Sequence, residues 1–133
     1  MEKKIKCLLI DDDPDDQDLF RYALQKIEFD IELFIADDGA YAMEQLSDEN
    51  FLPDIIFIDL NMPRLNGIEC IREIKKIDRL VNIPAYIYST AHEYQNEIDI
   101  KQMGIREYIE KPNNVMELLP VLKKIFGALQ LTA

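Results

Sequence analysis

The chain has 133 residues, 48% hydrophobic and 31% charged, enough for one folded domain with a sizeable core. A formal net charge of -11 excludes a basic stripe for nucleic-acid phosphates and disfavours anionic membrane surfaces; basic patches and cations are the partners it suits. The two cysteines, Cys7 and Cys70, form no CxxC and have no histidine beside them, so they read as reduced, packed thiols rather than a zinc site.

The N-terminal "MEKKIKCLLI" is basic, but its apolar run stops at Ile10, too short for a signal-peptide core. No other apolar run is long enough to span a membrane, so a cytoplasmic protein is expected. "IKCLLI" (5–10) reads as a buried strand. Asp13 and Pro14 then suit the cap and first position of a helix whose apolar face carries Leu19, Phe20, Ala23, Leu24 and Ile27. "IELFIA" (31–36) is a second strand, and Ala42, Met43 and Leu46 mark a second helix. "DIIFID" (54–59) is a third strand. Ile68, Ile71, Ile74 and Ile77 line a third helix, with Gly67 giving a tight turn into it. "IPAYIYS" (83–89) is a fourth strand, followed by a helix to about Met103, which Gly104 stops. "REYIE" (106–110) is a short fifth strand. Val115, Leu118, Leu119, Leu122, Ile125, Phe126 and Leu129 line one face of a fifth helix, with Asn114 and Glu117 placed as a capping pair. Pro120 implies either a kink in that helix or a later start. Five strands alternating with five helices predict an α/β fold with a parallel sheet, as one domain over 1–133 with its core at about 5–127.

Ligands of such sheets bind beyond the carboxyl ends of the strands. Asp11 and Asp12 follow the first strand, Asp59 ends the third, Ser89 the fourth, and Lys111 follows the fifth. Three converging carboxylates repel one another, and one lysine cannot neutralise them. A hard dication such as Mg²⁺ (or Mn²⁺) can, because it takes oxygen ligands and keeps waters that a phosphate can replace. Such a site lacks an anion with several oxygens, and a phosphoryl group fits. An aspartate can itself accept phosphoryl covalently. The remaining acids, Asp15, Asp16 and Asp18, read as first-turn charges favoured by the helix dipole, with Asp13 as the cap. An EF-hand is excluded by Asp16 at its glycine position and Tyr22 at its last ligand. The lone His92 reads as solvated.

The segments "LLIDD", "DIIFIDLNMPRLNG", "IPAYIYSTA" and "YIEKP" stand in the order and spacing of a known family. The chain resembles a stand-alone receiver domain of a two-component response regulator, of the CheY-like superfamily. The resemblance implies a flavodoxin-like (βα)5 doubly wound fold with strand order 2-1-3-4-5. It implies Asp59 as phosphoacceptor, Asp12 as a direct Mg²⁺ ligand, Asp11 as a ligand mostly through water, and the Asn61 backbone carbonyl as a further ligand. Ser89 and Lys111 would hold phosphoryl oxygens, and Tyr108 would be the switch aromatic. The Lys111–Pro112 peptide would be cis. A sensor histidine kinase or phosphotransfer protein would donate the phosphoryl group. With no output domain following, the signal would leave by protein contact, through the fourth helix, fifth strand and fifth helix, to a downstream protein or a second copy of the chain. The chain departs from the family in carrying Ser89 for threonine, Asn113 for an apolar residue, and two apolar stripes on the fourth helix: Tyr94 and Ile98 on one face, Ile100 and Met103 on the other. Only one stripe can face the sheet, and the other is a candidate partner surface.

Two other functions compete. A Mg²⁺-dependent phosphatase of the haloacid dehalogenase type also uses a strand-end aspartate and needs a second acid two residues on: after Asp59 that position is Asn61, and after Asp11 it is Asp13, but there Pro14 and Asp15 replace the usual hydrophobic-Thr continuation. A flavodoxin-like electron carrier would need a hydroxyl- and glycine-rich phosphate loop where the acidic run lies.

Overall fold

The computed structural model describes residues 4–63, 65–90 and 100–131. They form, in chain order, β1 (Ile5–Ile10), α1 (Pro14–Lys26), β2 (Ile31–Ala36), α2 (Gly39–Leu46), β3 (Ile55–Ile58), α3 (Gly67–Lys75), β4 (Ala85–Ser89), β5 (Glu107–Glu110) and α4 (Val115–Leu131). The strands make one parallel sheet in the order β2-β1-β3-β4-β5. Ile10 pairs with Ala36 on one side and Ile58 on the other. The connections leave β1 in opposite directions, so the crevice of the fold opens where β1 and β3 end.

Alternation along the strands divides the core in two. Leu8, Ile10, Ile56, Ile58 and Ile87 pack with Ala42, Leu46, Cys70, Ile71 and Ile74, on the side of α2 and α3. Cys7, Leu9, Phe57 and Tyr88 pack with Phe20, Leu24, Leu118, Leu122 and Phe126, on the side of α1 and α4. Phe20 meets both Phe57 and Tyr88 edge-on. Each such buried side chain contributes about 1.5–3 kcal/mol, which fixes the central strands firmly enough to hold charged groups at their ends. Cys7 and Cys70 are both buried and unpaired, and burial pushes the Cys70 thiol up to about 12. Among the described residues no helix is long and apolar enough to cross a membrane.

The helix starts follow from local chemistry. The Asp13 carboxylate accepts from the Asp15 and Asp16 amides, with Pro14 in the first turn. Asn66 and Glu69 form a complete capping box on α3. On α4 the Asn114 side chain accepts from Glu117 N–H, but Glu117 reaches back to the Asn113 amide, one residue earlier than a capping box requires. α4 starts early and carries Pro120 inside it. The carbonyl deprived of a partner there belongs to Met116, on the exposed side of the helix.

One expectation needs correction, and another lies mostly outside the described residues. No cis peptide occurs among the described residues, so the Lys111–Pro112 bond is trans. Trans is the lower-energy isomer by about 0.5–1 kcal/mol. With the Lys111 amide bonded to the Ser89 carbonyl, the lysine reaches the strand ends without the cis form. The helix expected after β4 falls mostly on 91–99, outside the described residues, together with His92, Tyr94 and Ile98. Residues 100–104 form turns closed by Gly104 at φ 75. Ile100 and Met103 are half-buried against the core, so theirs is the stripe that faces inward.

Candidate functional site

The carboxyl ends of β1, β3, β4 and β5 bring Asp11, Asp59, Ser89 and Lys111 together. All four are buried in spite of their polarity: Asp11 and Ser89 fully, Asp59 and Lys111 to 5% and 9% exposure. Backbone pairing sets their height. The Asp11 amide donates to Ala36 O, the Asp59 amide to Ile10 O, and the Lys111 amide to Ser89 O. Gly67 lets α3 start directly against the end of β3. A Cβ there would lie 2.2 Å from the Asp59 carbonyl oxygen and 2.8 Å from Leu60 Cα, both backbone atoms. The expected tight turn therefore has a specific cause: the helix abuts Asp59.

Asp59 is held on both oxygens. Its Oδ1 accepts from Ser89 Oγ at 2.8 Å and from the Asn61 amide at 3.3 Å, and its Oδ2 accepts from Lys111 Nζ at 3.1 Å. Lys111 Nζ also lies 2.8 Å from Asp11 Oδ2 and 2.7 Å from Asp16 Oδ2. It sits 5.6 Å above the Tyr88 ring as well. Asp11 Oδ1 accepts from the Asp13 amide at 2.9 Å. Asp12 is exposed at the mouth.

Electrostatics make this pocket short of positive charge. Burial pushes Asp11 up to about 6, against the opposing pull of Lys111 and the Asp13 N–H. Burial also works against the Lys111 ammonium, but the Asp11 and Asp16 carboxylates beside it outweigh that and hold its pKa above the ordinary lysine value.

A hard dication fits the gap. One carboxylate oxygen from each of Asp11, Asp12 and Asp59 lies within 4.8 Å of the others. Asp11 Oδ2 is buried and, although beside the lysine charge, receives no hydrogen bond of good geometry among the described residues. Its lone pairs are open to a cation. Oxygen-only donors with room for water suit Mg²⁺ or Mn²⁺ and exclude a soft-metal site.

A family model described as the response regulator receiver domain matches residues 7–123. The chain belongs to this family. Among similar receivers, response regulator Rcp1 of Synechocystis sp. is 30% identical over 123 residues, which cover 89% of this chain and 84% of that one. Chemotaxis protein CheY of Pseudomonas aeruginosa is 29% identical over 122 residues, covering 92% and 96%. The crystal structure of the Mn²⁺-bound form of Rcp1 matches with a TM-score of 0.82 at 30% identity, over 97% of this chain and 96% of that chain. The phosphorylated cyanobacterial phytochrome response regulator RcpA matches with a TM-score of 0.86 at 29% identity, over 98% and 97%. This receiver domain is thus a two-component response regulator with the flavodoxin-like sheet order that its motifs imply.

Of the site residues expected in the receiver, Asp11, Asp12, Asp59, Ser89 and Lys111 meet at one edge, and Asn61 contributes its amide to Asp59. Tyr108 lies on β5 opposite Ile87, half-buried against the core. Three participants were missed. Asp16, expected to be a solvated dipole charge, is a partner of Lys111. Gln17 Nε2 bridges Asp11 O at 2.7 Å and Asp37 Oδ1 at 2.9 Å, tying α1 to the loop after β2. Tyr88 lies beneath the lysine. The Asp16 role had one local clue: as the third helical residue, it stands on the turn that capping by Asp13 aims at the strand ends.

Proposed function

We propose that Asp59 of this receiver accepts a phosphoryl group from a phosphohistidine of a sensor histidine kinase or phosphotransfer protein, in a Mg²⁺- or Mn²⁺-dependent reaction. The observation that carries the reading is the double clamp on Asp59, by Ser89 on one oxygen and Lys111 on the other, beside two further acids. An Asp59 oxygen bonds to phosphorus as the P–N bond breaks, and the electron pair leaves on the imidazole nitrogen. Asp11, Asp12, Asp59 and the Asn61 carbonyl would hold the metal, which supplies positive charge to the transferring oxygens. The Ser89 hydroxyl and Lys111 ammonium, bonded to Asp59 in the resting protein, pass to phosphoryl oxygens. In hydrolysis, water attacks phosphorus, phosphate leaves and the Asp59 carboxylate returns. The same groups serve both directions, so the chain assists its own phosphorylation and dephosphorylation without being an enzyme toward another substrate.

Withdrawal of Ser89 toward the phosphoryl group is the switch. Tyr108 lies on the neighbouring strand and would follow it, changing the surface formed by residues 100–104, β5 and α4 for a downstream protein or a second copy of the chain. The whole of 1–133 acts as one cytoplasmic receiver domain in this reading. The haloacid dehalogenase alternative is not favoured: the family match points elsewhere, and the second acid it needs is Asn61.

The test is labelling by phosphoramidate with Mg²⁺, followed by intact mass. Asp59→Asn should abolish it, and EDTA should suppress it in the wild type. Label retained on another residue would refute the assignment.

A further inference from the structure

Lys111 is the hub of the site, and one of its contacts is not a strand-end residue. Asp16 lies 95 positions away in sequence, on the first turn of α1, yet its Oδ2 at 2.7 Å is the nearest of the three carboxylate oxygens around Nζ. Asp16 and Asp59 accept hydrogen bonds from the ammonium, and Asp11 Oδ2 lies at ion-pair distance from it, 2.8 Å away.

The turn that carries Asp16 is tied down on several sides. Asp13 caps it, Pro14 presets its first backbone angle, and Gln17 fastens it to Asp11 O and Asp37. The acids beside it do not share its role. Asp15 is exposed, and Asp18 pairs with Arg21 in solvent. The Asp16 side chain is 29% exposed against 74% for Asp18.

The three partners of Lys111 differ in what the reaction does to them. Asp59 is the acceptor, so its charge and shape change. Asp11 belongs to the metal cluster, so a bound cation would compete with the lysine for its carboxylate. Asp16 does neither. We propose that Asp16 is a positioning residue for phosphoryl transfer, the fixed anchor that keeps the Lys111 ammonium aimed at the phosphoryl oxygens while its other two partners are engaged. This rests on the reading of Asp59 as acceptor. Without the anchor, a long side chain with several rotatable bonds must be re-ordered in every transfer, and such disorder slows a reaction that depends on placement.

The experiment compares Asp16→Asn, Asp16→Glu and Asp15→Asn in the full chain. Asp15→Asn removes the same charge from the same helical turn without touching the lysine, so it measures the field alone. In labelling by phosphoramidate, an Asp59 oxygen bonds to phosphorus, the P–N bond breaks, and nitrogen leaves with the electron pair as ammonia. At saturating Mg²⁺, Asp16→Asn should slow this step roughly tenfold. Asp16→Glu should recover much of the rate, and Asp15→Asn should stay within about twofold of wild type. Mg²⁺ affinity, measured by calorimetry, should weaken to a similar extent in both Asn variants. The second readout needs neither metal nor donor: the ¹⁵N-detected ammonium signal of Lys111, assigned by its loss in Lys111→Arg. It should be sharp in the wild type and Asp15→Asn, and broadened by solvent exchange in Asp16→Asn. Equal labelling rates for the two Asn variants, or an unchanged Lys111 signal in Asp16→Asn, would overturn the proposal. Wild-type label found away from Asp59 would refute the acceptor reading instead, and the ammonium signal would still decide on the anchor.

Discussion

Replacing Asp11 with Asn should stabilise the metal-free protein at neutral pH. Asp11 is fully buried, and burial raises its pKa from an ordinary 3.8 to about 6 even with Lys111 beside it. A carboxyl raised in the folded state contributes stability that is complete below about pH 3.8 and lost as pH rises through about 6. At about 1.4 kcal/mol per pH unit, ionising Asp11 costs the fold about 3 kcal/mol by pH 7.5. Asn keeps the shape and never ionises. In EDTA, urea unfolding at pH 7.5 should therefore show Asp11→Asn more stable by up to about 3 kcal/mol, and the gap should close toward pH 4. Mg²⁺ should reverse the order, because it stabilises only the protein that binds it. A metal-free Asp11→Asn less stable than wild type at pH 7.5, or a gap independent of pH, would refute the reasoning. The first outcome would mean that the Lys111 ion pair outweighs the burial of Asp11.

Two further substitutions test the frame around the site. Gly67→Ala drives a methyl group to 2.2 Å from the Asp59 carbonyl oxygen, so it should cost about 1–3 kcal/mol in urea unfolding and reduce phosphoramidate labelling. Wild-type values for both would show that α3 does not abut Asp59. Tyr88→Phe removes a buried hydroxyl that has no hydrogen-bond partner among the described residues, and keeps the ring under Lys111. It should be neutral or raise stability by about 1 kcal/mol, and a comparable loss would mean that the hydroxyl is bonded.

Much of this receiver was legible because its signals are local. The apolar runs 5–10 and 54–59 and the caps Asp13 and Asn114 depend on neighbours within a few residues, and each lies where its chemistry requires. Gly104 closes the turns at residues 100–104 with a positive φ for the same reason. Strand ends converge in any parallel α/β sheet, so Asp11, Asp59, Ser89 and Lys111 could be gathered before any distance was known. The two stripes after β4 could not be ranked from sequence, since both satisfy helical spacing. Packing against the α2–α3 core assigns Ile100 and Met103 to the inside.

The acidic run 11–18 marks the boundary. Sequence divided it into two metal-binding acids, a cap and a set of solvated charges, and that division fails at Asp16. Its spacing from Asp13 makes it a first-turn residue, which is all that local chemistry can say. Its bond to Lys111 spans 95 positions and exists only because the sheet order and the α1 cap deliver both side chains to one crevice. Periodicity and capping are properties of a few consecutive residues, so the sequence alone determined the elements and the strand-end acids. Which carboxylate holds the lysine depends on distances between distant segments, and only the folded chain decides those.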